Sequence, residues 1–271
     1  MPAGASGALH SDLAAVPYCG IPAVPVDLWS RWNFDPALLL GLALLMVAHA
    51  RLTMQRESPA GGRRLVPFAA AWSLVFILFV SPVCALASAL FSVRVLHHMV
   101  LVAIVPPLLI MATPSLGRRL PATPLWLVVF ALLHAVILWF WHAPAPYAAA
   151  LAQTSVYWLM QASLFSSAML VWIGALARGT PTILSLALLL ATLIQTGLLG
   201  ALITFARTPL YAFHLATTQA WGLSPLADQQ LAGLIMWVPG ALPHLAAALA
   251  ILFAKVLQPG VQPGASPAAR A

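Results

Sequence analysis

Four side chains that could bind a soft metal ion are widely separated along the chain. They are His98, His142, Asp228 and Met236. Imidazole and thioether ligands favour copper, Cu(I) especially, and a carboxylate adds affinity for Cu(II). No motif of fixed spacing, such as CxxC or HExxH, joins these residues, so only the fold can bring them together. His98 and His142 could equally be interfacial histidines at helix ends, hydrogen-bonded to loops and carbonyls.

A second group of residues consists of weaker candidates for the same metal site. These are Met99, His134, His214 and Cys19. His134 lies inside the apolar run "FALLHAVILWFW", where an imidazole ring must find a polar partner. It could be a second layer of ligands, a proton relay or a hydrogen bond between helices, and we favour the hydrogen bond. His97, next to His98, is expected to be a bystander.

The chain has two cysteines. An oxidising compartment would permit a disulfide between Cys19 and Cys84, provided that the N-terminal segment folds back onto the bundle. We expect Cys84 to be a small buried apolar residue, and Cys19 to be a thiolate ligand or a free thiol. Neither has the paired spacing of a redox motif.

Composition determines which elements must position these groups. The 271 residues are 62% hydrophobic and 6% charged, and the mean hydropathy is +0.97. A soluble domain has about a quarter of its residues charged. The sequence therefore predicts an all-α integral membrane protein, and its net charge of +7 is ascribed to topology rather than to nucleic-acid binding.

Apolar runs of spanning length predict a bundle of seven transmembrane helices. The runs lie near 36–53, 65–91, 95–113, 124–141, 155–177, 181–205 and 229–256. They define a transmembrane domain over 36–256, an N-terminal segment over 1–35 without the features of a signal peptide, and a disordered tail over 257–271. The last run is interrupted and could be two pieces.

Basic residues predict the orientation. Seven spans place nine of them on one side and three on the other. The nine are Arg51, Arg56, Arg63, Arg64, Arg118, Arg119, Arg178, Lys255 and Arg270; the three are Arg31, Arg94 and Arg207. The positive-inside rule then puts the N-terminus outside and the C-terminus in the cytoplasm of a multi-pass membrane protein.

This topology brings the metal candidates to the outer side. His97 and His98 are expected to begin the third helix there, and His142 to end the fourth. Asp228 would open the seventh helix, with Met236 about 12 Å below it. Pro106 and Pro107, deeper in the third helix, predict a bend that frees a backbone carbonyl.

Several stretches resemble the CtaG family of seven-span cytochrome c oxidase assembly proteins, associated with caa-type oxidases. They are "PYCGIPAVPVDLWSRWNFDP", "HMVLVAIVPPLLIMATP", "WHAPAPYAAAL" and "WGLSPLADQQLAGLIMWVPG". The resemblance implies a role in assembling a haem-copper oxidase, with help in handling its copper. Implied partners are oxidase subunits, a copper chaperone and membrane lipid.

The sequence departs from the family pattern at three positions. Many members have a second histidine four residues before the "HM" histidine, where this chain has Arg94. Others have a histidine pair in the fifth helix, where Tyr157 and Gln161 stand here. This chain therefore has fewer candidate ligands than the family pattern.

The function predicted from these observations is not enzymatic. The spans contain no acidic residue and no Walker, GxSxG or HExxH pattern. The leading hypothesis is an oxidase assembly factor that binds or relays copper at the outer cluster. The alternatives are a structural scaffold for oxidase subunits without metal binding, and a haem- or quinone-handling protein.

Overall fold

The computed structural model describes residues 16–54, 61–115, 123–177 and 179–256, and within these ranges all regular structure is helical. The helices are α1 Pro36–Met54, α2 Gly61–Phe79, α3 Val83–Ala89, α4 Phe91–Met99, α5 Val105–Ala112, α6 Pro124–His142, α7 Pro144–Ala152, α8 Thr154–Leu176, α9 Thr182–Phe205, α10 Pro225–Trp237 and α11 Leu242–Val256. The predicted all-α fold is confirmed. Residues 1–15 and the predicted tail 257–271 lie outside the described ranges.

Six helical runs in the described residues are long and apolar enough to cross a membrane. Helices α2 and α3, bent by 48° at their junction, provide a seventh when the pair is taken as one span. The last run is broken by a 3-10 turn at Pro239–Ala241, between α10 and α11. Apart from the α2–α4 region, the helices agree with the predicted spans to within a few residues.

The predicted boundary between the second and third spans was wrong. The chain breaks at Leu90, whose extended backbone separates α3 from α4. Helix α4 then begins at Phe91, and the helical run that it opens continues through α5 to Ala112, so His97 and His98 lie about two turns inside this run. Arg94, which was assigned to a loop, is also inside α4. None of the three is at a helix start in contact with water, because each is at most 1% exposed.

The third span is irregular just before the Pro106–Pro107 pair. Residues Val100–Ile104 form a π-helical turn there. Neither proline has an N–H, so the Val102 carbonyl has no donor one turn further along. The Trp172 indole N–H of α8 donates to this carbonyl at 3.0 Å. The predicted free carbonyl therefore exists, and it joins α8 to the third span.

One end of the bundle, here called the cap end, carries the segments 16–35 and 206–224. The Trp221 indole N–H donates to the Ala23 carbonyl at 3.0 Å and joins the two segments. The Tyr211 hydroxyl donates to the His142 carbonyl at the end of α6. Helix α7 also lies at this end, within a stretch predicted to be a loop.

Cys19 and Cys84 form a disulfide, with their Cα atoms 5.3 Å apart. The N-terminal segment does fold back onto the bundle, where Tyr18 stacks on Tyr157. Cys84 is buried, as expected, but it is not a simple apolar residue. While the disulfide is present, the Cys19 sulfur is not available as a thiolate ligand.

The opposite end, here called the base end, contains a complete hydrogen-bond network around His49. The Trp72 indole N–H donates to His49 Nδ1 at 3.1 Å, so the other ring nitrogen carries the proton. That Nε2–H lies 2.9 Å from Thr113 Oγ1, and Thr113 lies 2.8 Å from Thr53 Oγ1. Thr53 in turn donates to the His49 carbonyl. Every polar side-chain atom in this network has a hydrogen-bond partner.

Candidate metal site

Buried polar atoms without a hydrogen-bond partner are concentrated between α4, α6 and α8. Among the described residues ten such side-chain atoms occur, and eight of them belong to five residues. The five, here called the polar cluster, are Arg94, His97, His98, His142 and Gln161. Each is at most 4% exposed. An unsatisfied buried polar group costs about 1–3 kcal/mol, so such a concentration indicates a site built for something other than stability.

The His98 ring of α4 and the His142 ring of α6 are in edge-to-face contact. Their centroids lie 5.8 Å apart with an interplanar angle of 79°. His142 Nδ1 lies 2.7 Å from the Leu138 carbonyl, which can only accept, so this nitrogen carries the proton. His142 Nε2 is left with a free lone pair and no partner among the described residues. A carbonyl that fixes the tautomer in this way is a common support for a metal-binding histidine.

His97 belongs to the polar cluster as well. Its ring centroid is 5.7 Å from that of His98, and its ring lies edge-on to Phe79 at 5.0 Å. Neither of its nitrogens has a partner in the described part of the chain. His97 was expected to be a bystander, but its environment resembles that of His98.

Arg94 is a buried cation one turn above His98 on α4. Its Nε donates to the Ala87 carbonyl at 3.1 Å, and its guanidinium lies 5.4 Å from the centre of the Tyr157 ring. Asp27–Arg31 is the one ion pair within 4 Å in the described ranges, so no carboxylate there pairs with Arg94. Backbone carbonyl and aromatic ring therefore carry the stabilisation of this charge.

Gln161 and Arg94 were not among the predicted site residues. Both amide atoms of Gln161 lack partners within the described structure, and Gln161 lies one turn below Tyr157 on α8. The available signal was a polar residue inside an apolar span, which is expensive and often functional. Arg94, Tyr157 and Gln161, the three departures from the CtaG pattern, thus lie in or beside the polar cluster.

Asp228 has a different place from the one predicted. Its carboxylate accepts hydrogen bonds from the Phe91 N–H at 2.7 Å, from the Ser92 N–H at 3.2 Å and from the Ser92 hydroxyl. An anion at this position satisfies the free N–H groups at the start of α4 and complements the helix dipole. Asp228 therefore positions the helix that carries His98, and both of its oxygens are already engaged.

The two methionine candidates pack in the apolar core. Met236 and Met99 belong to the same buried cluster. Met236 lies against Gly200 of α9, and Met99 lies against Gly240 in the break between α10 and α11. A Cβ atom at Gly240 would be 3.0 Å from the Met99 sulfur, so any larger residue there would require the Met99 side chain to shift by a few tenths of an ångström.

The other two histidine candidates have protein partners. His134 Nδ1 lies 3.0 Å from the Ser167 hydroxyl. This is the hydrogen bond between helices that we favoured. His214 contacts the Tyr147 hydroxyl at 2.8 Å through Nε2 and the Ala89 carbonyl at 3.2 Å through Nδ1. Burial lowers the pKa of His214 to about 4, so this ring is neutral at pH 7.

The donor set allows a limited fit to a metal ion. Imidazole nitrogens bind first-row metals at about 2 Å, which puts two rings on either side of one ion roughly 6 Å apart between centroids. The separation of His98 and His142 is close to this. Across residues 16–54, 61–115, 123–177 and 179–256, however, no group of three or more His, Cys, Asp or Glu side chains could hold a metal ion. Of the four predicted residues, His98 and His142 lie close together, whereas Asp228 is hydrogen-bonded to the start of α4 and Met236 packs in the apolar core.

Comparison with known proteins identifies the family. No curated protein and no solved structure matches the chain. The model of the cytochrome c oxidase caa3 assembly factor family (Caa3_CtaG) matches residues 42–258, which include every spanning run except the start of the first. The chain therefore belongs to the cytochrome c oxidase caa3 assembly factor family.

Proposed function

We propose that this protein assists the assembly of cytochrome c oxidase in the bacterial inner membrane by binding copper at His98 and His142. The observation that carries the proposal is the pair of contacting, buried imidazole rings whose ligand nitrogens lack partners in the described structure. Neutral imidazole is a good ligand for copper, and Cu(I) tolerates few ligands. Membership of the assembly factor family supports a role other than that of an enzyme.

Both the cargo and the partners follow from this arrangement. Two ligands hold Cu(I) loosely enough for release, and a partner supplies the further ligand that completes transfer. Oxidase subunits and a copper chaperone are the expected partners, with membrane lipid around the bundle. The excess of arginine at the base-end loops supports an orientation in which the cap end, and hence the polar cluster, lies near the outer face.

Metal analysis tests the copper role directly. Protein purified from copper-replete membranes is expected to retain copper, and His98→Ala with His142→Ala is expected to remove it. The matched control is His49→Ala with His134→Ala, which removes two buried histidines outside the polar cluster. Copper that is absent from the wild type, or equal in the two double variants, contradicts the proposal.

Oxidase assembly in a deletion strain tests the same role in the cell. Excess copper is expected to restore the copper content of the oxidase, because mass action replaces assisted delivery. Failure of copper to rescue the deletion strain favours a scaffold that holds oxidase subunits. The scaffold alternative is supported by α1, since only 11% of its spanning window is buried in the bundle and the rest is free for lipid or a partner.

Handling of haem or quinone is favoured by one specific feature. A cavity of about 440 Å³ lies between α1, α2, α5 and α8, a volume in the range of small-molecule sites. Trp72, Phe79, Trp158 and Phe165 contribute aromatic walls, and Gln161 also lines it. A Soret band, or quinone extracted from purified protein, would establish this function; neither is expected if the cavity holds only lipid.

A further inference from the structure

A second pair of soft ligands lies at the cap end, separate from the two imidazoles. Cys19, half-buried in the N-terminal segment, is bonded to Cys84 near the start of α3. The Cys19 sulfur lies 3.6 Å from the Tyr157 hydroxyl. Cys84 is 1% exposed, so a reagent from solution reaches the pair from the Cys19 side.

The two cysteines are held near each other by contacts that do not involve the disulfide. The Tyr18 hydroxyl donates to Asp35 at 2.6 Å. The Asn33 N–H donates to the Val80 carbonyl at 2.8 Å, and the Asn33 amide donates to the Phe79 carbonyl at 3.1 Å. The two Asn33 bonds fix the segment to the end of α2, and Val80 is three residues before the start of α3. Reduction therefore leaves the two sulfurs adjacent instead of releasing the segment.

We propose that Cys19 and Cys84, once reduced, form a two-thiolate site for Cu(I). A dithiol reductant supplies the two electrons: one of its thiolates attacks the Cys19 sulfur, and Cys84 leaves as a thiolate and takes a proton. The second reductant thiol then displaces Cys19, and the reductant becomes a disulfide. Cu(I) binds the two sulfurs and releases their two protons.

Thiolate is the softest ligand in the chain and is selective for Cu(I). The proposal deepens the copper role above, because it adds a soft-ligand site near the surface to the buried imidazole pair. It does not depend on His98 or His142 for its ligands.

Charge complementarity supports the same assignment. A Cu(I) ion held by two thiolates carries a net negative charge, which is expensive in an apolar bundle unless a cation is near. Tyr157 contacts both groups: its hydroxyl lies 3.6 Å from the Cys19 sulfur, and the Arg94 guanidinium lies over its ring, 5.4 Å from the centre. Arg94 is the buried cation for which the described residues provide no carboxylate within 4 Å. Its charge offsets that of the copper–thiolate unit.

Copper X-ray absorption on detergent-purified full chain tests the proposal. Protein reduced anaerobically with a phosphine and loaded with Cu(I) is expected to show sulfur scattering from copper, and the oxidised protein is expected to show none. The variants are Cys84→Ala, chosen because alanine suits a small buried position, and Cys19→Ser. Each is expected to lose the sulfur signal and to bind Cu(I) more than about tenfold more weakly. His98→Ala with His142→Ala is expected to keep it.

The outcomes separate this proposal from the buried imidazole site. Copper bound only through nitrogen in reduced wild type, or sulfur scattering unchanged in both cysteine variants, overturns the thiolate site and leaves the His98–His142 proposal standing. The opposite outcome is sulfur-bound copper that survives the double histidine substitution, with no nitrogen-bound copper in the wild type. It overturns the His98–His142 proposal and leaves the thiolate site standing. A disulfide that a phosphine cannot reduce in the folded protein also overturns the thiolate site.

Discussion

The His49 network at the base end and the polar cluster near the cap end differ in how their buried histidine rings are hydrogen-bonded. At the base end, both His49 nitrogens are hydrogen-bonded, and the network closes through Thr113 and Thr53 back to the His49 carbonyl. At the cap end, His97 and His98 have no partner in the described structure for any ring nitrogen, and His142 has a partner for only one.

Hydrogen-bond satisfaction distinguishes a structural histidine from a candidate ligand better than depth or sequence spacing does. A satisfied ring stabilises helix packing, whereas an unsatisfied ring lowers stability unless a ligand occupies it. The polar cluster therefore reduces the stability of the fold at the proposed site. The His49 network and Asp228 increase that stability elsewhere in the bundle.

The largest effect is expected at the carboxylate that supports α4. Asp228→Ala removes the acceptor for two backbone N–H groups and a hydroxyl, all buried. We expect a loss of about 3 kcal/mol in the free energy of unfolding, with a smaller loss for Asp228→Asn, which keeps one acceptor oxygen. Denaturant titration in detergent measures both. Equal, small losses would show that Asp228 does not hold the start of α4.

The comparison between the two ends predicts a contrast between matched substitutions. His49→Leu strands the Trp72 N–H and the Thr113 hydroxyl, so we expect it to destabilise metal-free protein by about 2 kcal/mol. His98→Leu removes two unsatisfied nitrogens at similar volume, and we expect it to be neutral or slightly stabilising. The same titration measures both variants. A His98→Leu loss as large as that of His49→Leu would contradict the distinction between the two ends.

Local sequence patterns predicted most of the helices but not the contacts that define the site. Apolar runs located α1, α6, α8 and α9, because span length and turn signals are local properties. The start of α4 was misplaced by several residues because Asp228, far along the chain, stabilises it. Because the sequence does not reveal this contact, Asp228 was predicted to be a metal ligand. The rings of His98 and His142 lie close together, and their role as metal ligands stays a prediction.

A smaller effect is expected on lowering the pH, through His214 at the cap end. Burial lowers the pKa of this ring to about 4, with the Ala89 carbonyl opposing the shift, whereas an unfolded histidine titrates near 6.5. The unfolded chain therefore binds the proton first, and stability present above about pH 6.5 is lost as the pH falls towards 4. His214→Gln keeps a donor and an acceptor without titrating. The Tm of this variant should fall by a few degrees less than that of the wild type between pH 7 and 5. Parallel curves of Tm against pH would show that His214 does not cause the loss of stability.

The most direct test of the central claim is whether Cu(I) raises the Tm of the protein through His98 and His142. A ligand that binds only the folded state at a free concentration tenfold above its Kd stabilises by about 1.4 kcal/mol. Oxidised protein, in which Cys19 and Cys84 are paired, is melted with and without Cu(I). We predict that Cu(I) raises the Tm of the wild type and of His134→Leu, but not that of His98→Leu or His142→Leu. A Tm shift that persists in both of the latter variants, or that is absent from the wild type, would contradict the claim that the unpartnered cap-end imidazoles are a copper site.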